Sequence, residues 1–414
     1  MKTTFTLGLC SALAMAAAQG KGLYYVPNDT EESLPLKWSV GIDAIYDDNT
    51  NPGLAVGPAA TDGDETFSLN PYVGLSFVSV TPQTTWDVYA RLGVIYYLDS
   101  PAAAGSDDAY GQARVGVNLT HSFNERLRFT SRNFLAYELE PDYSYGFASN
   151  RQVGEYFYWQ TDNSLGYRWT ERFATISGFE LTGLNYDSAV PNADRFTWTV
   201  YNQGRYQLSA QTVLTASYRY SETTGGGVAT DSTNQYLLVG LEHRFTPNTI
   251  AIVNVGAQIR DVDGINGDSN TNPYAEVNLR TQVNTQFAVR TFLRYGVEDY
   301  DTVFAGPALT NIQYDERLTL RVGVSGTYEV SQSLSLYGGV DFISTSFDSG
   351  RDLATGAAAV SADETLVNAY IGASLKLTEI LTGSLTYNFT DSNSDLLGRD
   401  YDRNRITVGL SAEF

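Results

Sequence analysis

Polar and apolar residues alternate one for one along much of this chain. Near its end Arg403, Arg405, Thr407, Gly409, Ser411 and Glu413 alternate with Asn404, Ile406, Val408, Leu410, Ala412 and Phe414. Successive side chains of an extended strand point to opposite faces, so a period of two predicts one greasy and one wet side. The pattern recurs where Arg317, Thr319, Arg321, Gly323 and Ser325 alternate with Leu318, Leu320, Val322 and Val324. It recurs again over Glu276, Asn278, Arg280 and Gln282, and over Arg114, Gly116, Asn118 and Thr120. Strands of soluble sandwiches usually run about 5–6 residues. These runs reach roughly 10–14, the length a tilted strand needs to cross a bilayer.

Tight polar junctions near Gln83, Glu125, Glu171, Gln211, Asn248, Gln286, Gln332 and Glu379 punctuate the strands at intervals of 37 to 47 residues. Their local sequences resemble one another (FNERLRF, WTERFAT, VNTQFAV, VSQSLSL, LTEILTG), which predicts a repeated hairpin. Longer irregular connections fall at 47–64, 99–108, 140–155, 187–194, 222–231, 261–272, 300–313, 348–363 and 391–400. Short turns at one end and long loops at the other predict a transmembrane barrel of about 18 antiparallel up-and-down strands. The expected strands are 36–46, 65–80, 84–98, 109–123, 126–139, 156–169, 173–186, 195–209, 212–221, 232–246, 249–260, 273–285, 287–299, 314–330, 333–347, 364–377, 380–390 and 401–414. An even count puts both termini on the short-turn, periplasmic side.

Composition agrees. Charged residues are 18% of the chain, below the 25% or so of soluble proteins, while 29 Tyr and 37 Gly suit strands and turns. The net charge of −21 argues against nucleic acid, which needs a basic face. Residues 1–18 read as a signal peptide, with Lys2 as its charged start, Phe5 to Met15 as its apolar core and a cut after Ala18. Cys10, the one cysteine, lies within it, so no disulfide or thiolate metal site is expected in the mature chain. Residues 19–35 read as a periplasmic lead-in and 36–414 as the barrel. After the signal, no apolar run approaches the ~20 residues of a membrane helix.

Aromatics at strand ends, among them Trp38, Tyr46, Trp86, Phe123, Trp169, Phe245, Tyr328 and Phe347, predict two girdles at the headgroup boundaries. Alternation places Arg91, Arg114, Arg126, Arg128, Arg132, Arg168, Arg205, Arg219, Arg244, Arg260, Arg280, Arg290, Arg294, Arg317, Arg321, Arg403 and Arg405 inward. Inward carboxylates are Asp43, Asp87, Asp162, Glu180, Glu242, Glu276, Glu298, Glu329, Asp341 and Glu413. Arginine rings set anion preference in a pore; the structural alternative is cross-strand pairing with carboxylates, which stiffens the wall. Arg126, Arg128 and Arg132 on one strand, and Arg290 and Arg294 on another, are the strongest candidates for a basic ladder.

The long connections carry 24 Asp or Glu against Arg151, Arg351 and Arg399. Within them Asp261, Asp263 and Asp268 alternate with glycines like a calcium loop but lack its closing Glu, so a solvated turn competes with a metal site. The histidines, His121 and His243, fall on the apolar face near the short-turn ends of their strands. That gives catalysis no support, and no cofactor is expected.

The segment GIDAIYDDN, within Trp38 to Gly53, resembles the opening strand of the bacterial family known as β-barrel porin 2. Phe414 resembles the terminal signature that the barrel-assembly machinery reads in outer-membrane proteins. These resemblances imply a large barrel among outer-membrane lipids and a transport role. The expected function is a porin-like channel for passive diffusion of small hydrophilic solutes, with a homotrimer as a possible assembly. A polysaccharide-export barrel and a closed surface scaffold or adhesin are the alternatives.

Overall fold

The computed structural model describes residues 33–50, 65–99, 108–139, 154–187, 194–226, 231–263, 269–298, 303–305, 311–396 and 399–414. The signal and most of the lead-in, and Asp268, lie outside them.

The strands are β1 Leu34–Asp47, β2 Thr66–Val80, β3 Thr84–Tyr97, β4 Ala109–Ser122, β5 Leu127–Glu138, β6 Tyr156–Arg168, β7 Phe173–Tyr186, β8 Arg195–Gln207, β9 Thr212–Gly225 and β10 Ser232–Thr246. They continue as β11 Thr249–Val262, β12 Ser269–Gln282, β13 Phe287–Val297, β14 Val303–Ala305, β15 Asn311–Glu329, β16 Leu334–Asp352, β17 Ala362–Lys376, β18 Leu381–Ser394 and β19 Tyr401–Glu413. β14 pairs with β15 just beyond the end of β13 and continues its line, so the wall counts eighteen strands. Each pairs antiparallel with its sequence neighbours, and β1 pairs with both β2 and β19. Closure leaves the sheet without a free edge, the condition for backbone to cross hydrocarbon.

The short turns repeat because one polar side chain organises each. Asn124 Oδ1 accepts the Arg126 and Leu127 amides at 2.8 and 2.9 Å, and Asn284 Oδ1 accepts those of Gln286 and Phe287 at the same distances. Thr170, Ser331 and Thr378 do the same through hydroxyls, bonding Phe173, Leu334 and Leu381 at 3.0, 3.1 and 3.0 Å. A short polar side chain that substitutes for a turn carbonyl fixes the hairpin and hence its register.

The faces sort as alternation requires. Trp38, Val40 and Ile42 on β1, Leu237, Val239 and Leu241 on β10, and Ile406, Val408 and Leu410 on β19 all face outward and are exposed. At positions of the opposite parity on the same strands Ser39, Glu242 and Arg403 are buried on the inner side. A band of exposed aliphatic side chains this wide is stable only against hydrocarbon. The fold is a transmembrane β-barrel.

Three expectations change. β16 runs to Asp352 and β12 starts at Ser269, so part of 348–363 and of 261–272 is strand. Asp261 accordingly sits within β11, in register with Ser269, rather than in a calcium-type loop. Phe347 is fully buried on the inner face, 5.5 Å from the Tyr314 ring, and belongs to no girdle, because it shares the parity of inward Thr345.

Candidate functional site

The inner face carries a charge network whose members are set by strand parity and joined by register. At its densest point Glu298, just past β13, accepts hydrogen bonds from Arg294 at 2.6 Å and from Arg321 at 2.8 and 3.0 Å. Arg317 stands 3.5 Å from the same carboxylate. Arg294 and Arg321 are direct cross-strand partners of β13 and β15. Two guanidiniums facing each other repel, and the shared carboxylate offsets that. Arg317, Arg321 and Glu298 are all buried, and the hydrogen bonds from Arg294 and Arg321 hold the Glu298 carboxylate in place there.

The same device recurs on the opposite wall. Arg91 and Arg114 face each other across β3 and β4. Arg91 donates to Asp43 at 2.7 Å and lies 3.6 Å over the Tyr72 ring; Arg114 pairs with Glu138, which also accepts the Tyr156 hydroxyl at 2.8 Å. A third facing pair, Arg280 and Arg290 of β12 and β13, lies nearer the short-turn end. Ile250 of β11 separates Arg280 from Arg244 in the same row.

Other arginines are paired one to one. Arg219 grips Glu276 through both nitrogens at 3.2 Å, and Arg205 donates to Glu242 at 2.6 Å. At the seam Asp47 takes Arg403 at 2.6 Å and Arg405 at 3.1 Å. Arg399 donates to Glu364 at 2.5 and 3.0 Å. Arg132 lies 3.8 Å from Asp162, whose other oxygen accepts the Tyr201 hydroxyl at 2.6 Å. Arg260 is buried and bonds the Asp315 carbonyl.

Of the ladder candidates, then, Arg294 and Arg132 sit beside carboxylates. Arg128 donates to Ser122 at 3.3 Å, and Arg126 precedes β5 in the turn, where its amide binds Asn124. Arg168 ends β6 and stands 3.9 Å from exposed Glu125. Sequence reasoning missed Asp47, Glu138, Glu364 and Arg399 as network members. The three acids share the parity of inward Asp43, Arg132 and Leu366, a usable signal, but stand where the chain reads as loop or loop edge.

Between the charges, aromatic rings lie flat on the inner wall. Tyr72 covers Gly41, Tyr89 covers Gly116 and Tyr201 covers Gly178, each ring filling the space a Cβ would need. Tyr337 over Gly372 and Tyr370 over Gly339 form a reciprocal pair on β16 and β17. Glycine is required there by close approach, and the flattened rings keep bulk out of the interior. Among the described residues no group of three or more His, Cys, Asp or Glu is placed to hold a metal ion.

No family model and no curated protein matches the chain. Solved structures align over 92% of it at low identity. OccAB3 of Acinetobacter baumannii gives 10% identity over 99% of its own chain with a TM-score of 0.46. A BenF-like porin from Pseudomonas fluorescens Pf-5 gives 10%, 99% and 0.48, and OpdK of Pseudomonas aeruginosa with vanillate gives 12%, 99% and 0.46. The eighteen-strand wall rests on this chain's own pairing and not on those likenesses.

Proposed function

We propose that the protein is a porin-like channel of a bacterial outer membrane, passing small hydrophilic solutes by passive diffusion. The observation that carries this reading is the closed eighteen-strand wall, greasy outside and charged inside. At that circumference side chains alone do not fill a barrel, and water occupies the interior unless loops plug it. The flat tyrosines work in the same direction, since they hold large side chains against the wall.

The charge preference follows from the network. Arginines outnumber carboxylates on the inner face, but most of those with described contacts are neutralised locally. The surplus of arginines over carboxylates makes the inner face net positive, and Arg244, Arg280 and Arg290 share one row of its short-turn half. A mild anion preference results, not a strict anion filter. In this reading the termini are periplasmic, the acidic long loops face outward, and the signal peptide and Phe414 serve export and assembly.

Planar-bilayer recordings of the purified protein in a salt gradient test the proposal. Stepwise conductance with a reversal potential displaced toward the anion side is expected. Folded, inserted protein without ion-permeable steps would rule out the channel and favour a closed scaffold.

A further inference from the structure

The two histidines lie on the lipid-facing wall in the same geometry. His121 is the penultimate residue of β4, and its ring stacks edge-on against Phe123 with centroids 4.7 Å apart at 82°. His243, near the end of β10, meets Phe245 at 4.6 Å and 77°. In each case Nδ1 is bonded to a threonine directly across the preceding strand, Thr84 at 2.8 Å and Thr212 at 2.9 Å. Phe123 and Phe245 are well exposed on the outer face, at 55% and 60%. Among the described residues neither imidazole makes another hydrogen bond.

Each ring is therefore aimed by a hydroxyl and a phenyl, with Nε2 as its remaining polar atom. The same bracket occurs at the end of β6, where Tyr167 stacks on Trp169 at 4.7 Å and 73°. There the polar tip is a phenol, and Trp169 Nε1 is spent on Thr175 at 3.0 Å. Amphipathic rings at strand ends sit at the headgroup level, body in hydrocarbon and tip in the polar layer. A fixed nitrogen donor at that depth meets phosphate oxygens, which accept charge-assisted hydrogen bonds that a glycosidic headgroup does not offer.

We propose that Thr84–His121–Phe123 and Thr212–His243–Phe245 form two phospholipid sites on the leaflet facing the short turns, each holding a headgroup phosphate through His Nε2. The inference rests on the membrane reading above. Cross-strand neighbours of the rings are uncharged: Thr84 and Phe129 flank His121, and Thr212 and Ala251 flank His243. The turn that follows His121 in sequence carries the charges Glu125 and Arg126. The His243 turn, Pro247 and Asn248, has none, so the two sites provide an internal comparison.

The test uses full-length protein inserted into phosphatidylethanolamine vesicles with phosphatidylglycerol, extracted gently, and weighed intact to count retained lipids. A His121→Phe/His243→Phe variant keeps both ring stacks. It is expected to retain about tenfold less phospholipid, the low end of the worth of a charge-assisted hydrogen bond. In galactolipid vesicles, which lack phosphate, the two proteins are expected to retain lipid equally. Equal retention of phospholipid, or an equal loss in galactolipid, overturns the proposal. A Thr84→Val/Thr212→Val variant, with both imidazoles present but unaimed, is expected to lose about twofold; no loss there also overturns it. Heat-dependent electrophoretic mobility reports insertion separately. Failure of the unaltered protein to insert sinks the membrane reading, whereas normal insertion with unchanged lipid sinks these sites alone.

Discussion

Trp38 and Phe414, one at each end of the barrel's sequence, exchange two backbone hydrogen bonds, Trp38 N–H to the Phe414 carbonyl at 3.0 Å and Phe414 N–H to the Trp38 carbonyl at 2.8 Å. They form the last rung of the β1–β19 seam at the short-turn end. Toward the other end Asp47 clamps Arg403 and Arg405, and Asp48 accepts both the amide and the side chain of Asn404 at 2.6 and 2.7 Å. The seam is thus fastened at both ends by contacts between residues that nothing in local sequence brings together.

Breaking the seam clamp destabilises the barrel. Asp47→Ala leaves buried Arg403 without its carboxylate, a loss of about 3–5 kcal/mol for a broken buried pair. The temperature at which the folded band converts to the unfolded band on gels is expected to fall by several degrees. An unchanged transition would show that the clamp is idle.

Glu298→Gln removes the one charge shared by Arg294, Arg317 and Arg321. Two effects are expected together: lower thermal stability, and a reversal potential shifted further toward anions. Reversal potentials in a potassium chloride gradient measure the second effect independently of the first.

Arg290 faces Arg280 in register. Arg290→Glu replaces a like-charge pair by an opposite one on the inner face, which contributes a few tenths to about 1 kcal/mol. Stability is expected to hold or rise slightly while anion preference falls. A variant with unaltered ion preference would place this row outside the conducting path.

Neighbouring residues of one strand report the two faces. Val408 is exposed on the outer wall and Thr407 points inward. Val408→Arg is expected to cost about 2–4 kcal/mol at mid-membrane depth. Thr407→Arg is expected to fold into vesicles as the parent does, a contrast that folding titrations in urea read directly. Equal tolerance at both positions would contradict an outer hydrocarbon face.

The flat rings predict a steric effect on conductance. Gly372→Val puts side-chain atoms where the Tyr337 ring lies and forces that ring off the wall. Single-channel conductance is expected to drop with the fold intact. Tyr337→Ala/Gly372→Val, which removes the displaced ring, is expected to restore it.

Every wall strand is legible as alternation, and β7 and β10 have the limits the pattern predicts, 173–186 and 232–246. The misjudged limits lie mainly at the long-loop end. β9 extends to Gly225, β16 to Asp352 and β18 to Ser394, while β12 begins early at Ser269. Above the hydrocarbon both faces of a strand meet water, so the chemical contrast that makes a strand readable disappears while its hydrogen bonding continues.

Alternation therefore settles locally what each residue faces, because hydrocarbon on one side and water on the other demand opposite side chains at every step. It assigns Arg294 and Arg321 to the inner wall without saying that they meet, or that Glu298 lies between them. Nor does it show that Asp47, in what reads as a loop, closes the barrel on Arg403. The first pairing depends on the stagger of two strands joined by a long connection, and the second on strands at opposite ends of the chain, whose stagger only closure of the whole sheet sets.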